Sequence, residues 1–110
     1  MMKKILLACA GGFSTGMLVQ NMEIAAKKKD MEVEIEAVAV AAVDKEIAHI
    51  SVLLLGPQIG HAAGNIKEKY GDIVPISVID MLDYGMMNGE KVLELAINLN
   101  TSFQKGGKNV

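Results

Sequence analysis

Four short apolar runs recur along the chain with longer amphipathic stretches between them, and this alternation limits the fold more than any other feature. The runs are Lys4–Cys9 (KILLAC), Val33–Val40 (VEIEAVAV), Ser51–Leu55 (SVLLL) and Ile76–Ile79 (ISVI). Each has the length of a strand. The first is apolar without alternation, as a strand covered on both faces must be. Thr15–Lys29 opens on a Ser-Thr pair and closes on lysines, the polarity a helix dipole favours. Asp44–His49 is a short helix at most, and Pro57–Lys69 carries proline in its first turn. Gly89–Phe103 sets Val92, Leu93, Ala96, Ile97, Leu99 and Phe103 on a helical period. Strand–helix alternation with short connections predicts an α/β fold: a single three-layer domain, a four-stranded parallel sheet with helices on both faces. At 110 residues the chain suffices for one core. The domain is expected over residues 1–103, and the polar, glycine-bearing end 104–110 as a flexible tail.

In such sheets ligands bind beyond the carboxyl ends of strands, near the point where the winding reverses. Four stretches leave those ends: CAGGFSTG, VAAVD, GPQIG and DMLDYGMMNG. Function is therefore sought among these four.

Composition removes several classes. All eleven basic residues are lysine and the net charge is −2. Without arginine there is no bidentate fork for phosphate or guanine, and without a basic face or many aromatics a nucleic-acid role is disfavoured. One cysteine forms no internal disulfide and fits a reducing cytoplasm. The N-terminal apolar run is too short for a secretory leader, and nothing approaches the ~20 apolar residues of a membrane span. The chain is expected to be soluble and cytoplasmic.

That cysteine, Cys9, stands where the first strand ends and the first helix begins. A loop at such a junction aims several backbone N–H groups at one spot, and glycines let it curl into an anion-binding nest. Gly11 and Gly12 allow the curl, and Ser14 and Thr15 add hydroxyl donors. A nest of this kind holds phosphate and also stabilises a thiolate, so Cys9 beside it is arranged to form a phosphocysteine by in-line attack on phosphorus. The competing reading is a small apolar side chain at the end of a buried strand. The stretch is neither a Walker loop nor G-x-G-x-x-G, so nucleotide binding is unsupported. The layout has the shape of the low-molecular-weight tyrosine phosphatase loop, Cys-x5-Arg-Ser, but Thr15 stands where the arginine would. A site that accepts a phosphoryl group and hydrolyses it slowly suits passing it on.

Three stretches, ILLACAGGFSTGMLV, LLLGPQI and VIDMLDYGMMNGEKVL, together resemble the IIB component of the lactose/cellobiose (chitobiose) class of the bacterial phosphoenolpyruvate-dependent sugar phosphotransferase system. The resemblance runs from about Lys4 to Leu99. It implies that Cys9 is the phosphorylated residue, with Ala10, Gly11, Gly12, Phe13, Ser14, Thr15 and Gly16 as its phosphate loop. It implies a phosphohistidine on a IIA protein as donor. The acceptor it implies is a β-linked disaccharide bound by the membrane IIC component. The family loop often has serine and methionine where this chain has Gly12 and Phe13. No metal or organic cofactor is called for. Two other readings come from other classes: a cysteine-dependent low-molecular-weight phosphatase or arsenate-reductase-like enzyme, and a non-enzymatic anion-binding module with Cys9 merely buried.

Asp80, at the end of the fourth strand, reads either as a general acid or as a cap for the turn DMLDYG. Gln58 and Tyr84 are placed on the rim of the site. His61 is near the strand-end surface, His49 reads as structural, and with Cys9 they make no metal-ligand spacing. Met17 and Met22 fit a helix core stripe. Met86 and Met87, with Phe13, form either an adaptable docking patch or filling beneath the loop.

Overall fold

The computed structural model describes residues 2–10 and 14–104. Its strands are β1 (Lys4–Cys9), β2 (Glu34–Ala39), β3 (Val52–Leu55) and β4 (Ile76–Val78). Its α-helices are α1 (Ser14–Lys28), α2 (Val43–Glu46), α3 (Ala63–Tyr70), α4 (Met81–Gly85) and α5 (Gly89–Gln104). The strands form one parallel sheet in the order β2-β1-β3-β4. β1 lies inside the sheet, with Leu7 paired to Ala37 on one side and to Leu54 on the other. This explains its unbroken apolar run: both ladders and both faces are covered.

Side-chain parity divides the core into two layers. Ile5, Leu7, Val52 and Leu54 point to one face, where they meet Leu18 and Met22 of α1 and Val92, Leu93 and Ala96 of α5. Leu6, Ala8, Leu53 and Leu55 point to the other, against Val43 of α2, Ile66 and Tyr70 of α3, and Ile59. The sheet thus has helices on both faces, as the alternation predicts. Each fully buried aliphatic side chain contributes about 1.5–3 kcal/mol of transfer free energy.

Several expectations are corrected. The Asp44–His49 helix is instead a chain of short turns: 3-10 over Val40–Ala42, α2, and 3-10 over Ile47–His49. The Pro57–Lys69 helix divides into a 3-10 stretch, Pro57–Ala62, and α3; Ile59 leaves helical geometry (φ −112°, ψ 20°) to bury its side chain. DMLDYG, read as a turn, contains helix α4. Met17 is 52% exposed, because the buried stripe of α1 runs through Leu18, Met22, Ala25 and Ala26, one position further on. Gln104 closes α5, and the rest of the expected tail, 105–110, lies outside the described residues.

Lys4 gains a setting that the sequence left open. Lys4 pairs in register with Glu34, and on the same face of β2 Glu36 follows two residues on. Its Nζ bonds the Glu36 carboxylate, meets Glu46 of α2 at 3.0 Å and lies 3.6 Å from Glu34. The side chain is only 12% exposed, so these carboxylates raise the lysine pKa, the hydrogen bond to Glu36 most strongly.

Candidate functional site

The winding reverses at β1 and β3. From β1 the chain passes into α1 on one face, and from β3 it passes into α3 on the other. The crevice between these two strand ends is where an open α/β sheet binds its ligands. Cys9 is the last residue of β1, and Gly56, which follows β3, bonds its amide to the Ala8 carbonyl at 2.9 Å. A Cβ on Gly56 would lie 3.5 Å from the Cys9 Cβ, so the backbone after β3 runs directly beside the cysteine.

Cys9 has the parity of Ile5 and Leu7 and faces the α1/α5 side, 5% exposed. Its surroundings are polar. The Thr15 hydroxyl, from the first turn of α1, donates to Cys9 Sγ at 3.3 Å. The thiol points at the Val38 carbonyl of β2, 3.7 Å away. Thr15 is 2% exposed and its Oγ1 is also 3.1 Å from the Tyr84 hydroxyl. The N-terminal end of α1, a fifteen-residue helix with no acidic residue in its first turn and Lys27 and Lys28 in its last, is therefore brought to the sulfur. Its partial positive charge favours an anion there.

The residues expected at the site are distributed as follows. Ala10 is exposed, directly after Cys9. Gly11, Gly12 and Phe13 lie outside the described residues. Ser14 opens α1, and Gly16 is exposed with open space around it. Gln58 is exposed, and its Oε1 lies 3.0 Å from where a Gly56 Cβ would stand. Asp80 accepts at Oδ2 from the amides of Leu82 (3.0 Å) and Asp83 (3.2 Å), the N-cap of α4. Tyr84 is corrected from rim to interior: it is 8% exposed and packed in the α1/α5 core. His61 and His49 are both exposed. Of the methionines, Met86 is exposed on the turn after α4 and Met87 half-buried there.

The sequence pattern pointed to Cys9 and Thr15 but missed the link from Thr15 to Tyr84. A five-residue helix is too short to show a period, so no local signal marked Tyr84 as an inward position.

The profile of the family described as "PTS system, Lactose/Cellobiose specific IIB subunit" matches residues 4–95, from the first strand into the last helix. The chain belongs to this family. The galactose-specific EIIB component of Lactococcus lactis subsp. cremoris (strain MG1363) is 45% identical over 104 residues, covering 88% of this chain and 95% of that protein. The oligo-beta-mannoside-specific EIIB component of Bacillus subtilis (strain 168) is 36% identical over 99 residues, with 89% and 96% covered. The solution structure of a cellobiose-specific phosphotransferase IIB component from Borrelia burgdorferi superposes with a TM-score of 0.77 at 42% identity, over 91% of this chain and 93% of that one. IIB subunits of this family are sugar-specific components of the phosphotransferase system. Among the described residues, no helix is long and apolar enough to cross a membrane.

Proposed function

We propose that this chain is a phosphoryl carrier whose acceptor atom is Cys9 Sγ. A phosphohistidine on a IIA protein docks over the carboxyl end of β1. The Cys9 thiolate attacks phosphorus in line; the S–P bond forms as the P–N bond breaks, and the histidine keeps the bonding electron pair. On the membrane IIC component the reverse polarity applies. A hydroxyl of a β-linked disaccharide attacks phosphorus, the P–S bond breaks, and the electron pair returns to sulfur while the hydroxyl proton is released. Residues 10–16 hold the phosphoryl oxygens, and both partners are met on the cytoplasmic side of the membrane. Phe13, Met86 and Met87 belong to the docking surface in this reading.

The observation that supports this most is the Thr15 hydroxyl aimed at Cys9 Sγ from the start of α1. A hydrogen bond to sulfur stabilises the thiolate, which favours it as leaving group and raises its population while tempering its nucleophilicity. A cysteine serving only as core filling would not call for a buried hydroxyl turned toward it.

The test is incubation with phosphoenolpyruvate, the general phosphotransferase proteins and a cognate IIA protein, followed by mass spectrometry. One added phosphoryl group on Cys9, lost in Cys9→Ser, is expected. An unmodified Cys9, or turnover of an aryl phosphate with no partner present, would overturn the reading in favour of a binding module or a phosphatase respectively.

A further inference from the structure

A buried file of three side chains from three separate elements ends on the candidate acceptor atom: Tyr84 of α4, Thr15 of α1 and Cys9 of β1. The direction of donation along this file follows from the bond to sulfur. A hydroxyl has a single proton to donate. In the structure the Thr15 hydroxyl donates to Cys9 Sγ, and a thiolate there can only accept. Thr15 Oγ1 is then an acceptor toward Tyr84, and the Tyr84 hydroxyl must be the donor across the 3.1 Å contact. In the thiol state the S–H is spent on the Val38 carbonyl, and the same direction of donation holds.

We propose that Tyr84 is a positioning residue for Cys9: by donating to Thr15 Oγ1 it fixes the Thr15 hydroxyl as a donor to the sulfur. Two consequences follow. The Thr15 rotor cannot turn its proton toward Tyr84, so the donor is set before phosphorus arrives and needs no reorganisation during transfer. The bond from Tyr84 also polarises the Thr15 O–H, strengthening its donation to sulfur. Both effects bear on the thiolate, the state formed when the P–S bond breaks.

The fold supplies the means of holding Tyr84. Its ring is packed in the α1/α5 core, and its amide bonds the Asp80 carbonyl at 2.9 Å. The Asp80 carboxylate is turned to the first amides of α4 rather than to the sulfur. Asp80 thus acts on the site indirectly, by starting the short helix that carries Tyr84. Around the file, β1 contributes Cys9, α1 Thr15, α4 Tyr84 and β2 the Val38 carbonyl; Cys9 and Tyr84 are its titratable members.

The proposal rests on the reading of Cys9 as phosphoryl acceptor, but its test does not need that reaction. Cys9 is the chain's sole cysteine, so alkylation by iodoacetamide reports on it alone. Tyr84→Phe keeps the ring and removes the hydroxyl. It is expected to slow alkylation at pH 7 by about three- to tenfold, the size of one lost hydrogen bond, and to leave the alkaline plateau rate undiminished. Thr15→Val is expected to slow it at least as much, and Thr15→Ser, which keeps the hydroxyl, to restore it. The deciding measurement is the double variant: Tyr84→Phe should add nothing in the Thr15→Val background, because the link it acts through is already gone. Parental alkylation in Tyr84→Phe, or penalties that multiply in the double variant, would overturn the proposal. Phosphoryl loading of the same proteins separates the two readings. Loaded Cys9 with multiplying penalties removes the positioning role and keeps the carrier. Unloaded Cys9 with the expected coupling removes the carrier and keeps the positioning role.

Discussion

Gly89 stands against the main chain of Asn21: a Cβ on Gly89 would lie 2.3 Å from the Asn21 carbonyl carbon and 2.5 Å from both its oxygen and the Met22 amide nitrogen. The first turn of α5 is thereby pressed onto the middle of α1. The contact is locked by Asn21, whose Nδ2 donates to the Met87 carbonyl at 2.8 Å. Because the opposing atoms are backbone, no rotamer change relieves an added methyl.

Gly89→Ala is therefore expected to destabilise the protein by about 1–3 kcal/mol, the cost of overpacking, despite the better helix propensity of alanine. The urea midpoint reads this directly. An unchanged or raised midpoint would mean that α5 can move off α1 without cost.

How far such a contact can be read from sequence depends on its range. β1 was legible to the residue, Lys4–Cys9, because a strand covered on both faces leaves an uninterrupted apolar run. α1 was legible as a helix, but its inward face was not. Met17, Leu18, Val19, Met22 and Ile24 surround it with apolar side chains, and only packing against α5 selects Leu18 and Met22 over Met17. α4 was missed because five residues carry no period and because the Asp80 cap is also a turn signal. At the site, the place of Cys9 followed from strand end meeting helix start. Tyr84 did not, since its partner Thr15 is 69 residues away in the chain.

Asp80 allows the cap and the general acid to be told apart. Its Oδ2 already accepts from two α4 amides. Asp80→Ala is expected to cost about 0.5–2 kcal/mol, as loss of an N-cap does, measured by thermal or urea unfolding. Asp80→Asn keeps an accepting oxygen and should restore most of that stability with undiminished phosphoryl loading of Cys9. Loss of loading in a stable Asp80→Asn protein would reinstate the acid.

The end of α1 offers a stabilising change. Asp30 has φ 55°, and its amide bonds the Lys27 carbonyl at 3.1 Å while Met31 bonds Ala26 at 2.9 Å. These are the two bonds of a Schellman ending, with aspartate at the left-handed position that glycine fills at least cost. Asp30→Gly should raise stability by about 0.5–1 kcal/mol, since the relief of left-handed strain outweighs the greater chain entropy of glycine when unfolded. A lowered melting temperature would show that the Asp30 side chain contributes more to this ending than its strain costs.

Lys4 sets the behaviour of the fold in alkali. Its pKa is raised above the ordinary value near 10.5, chiefly by the hydrogen bonds from its ammonium to Glu36 and Glu46. A cation whose folded value is raised holds its proton more tightly folded than unfolded, so it stabilises the fold fully below its unfolded value. As pH climbs past that value the unfolded chain releases the proton first, and the stabilisation is lost up to the folded value. The contribution of Lys4 should therefore be level from neutral pH to about 10 and decline above it. Lys4→Met removes this term alone, so subtracting its alkaline urea-midpoint profile from that of the parent isolates Lys4 from the other lysines and the tyrosines. The difference should shrink as pH rises beyond 10.5. A difference that stays constant through that range would mean that the ammonium contributes by packing of its methylene stem, not by its charge among the three carboxylates.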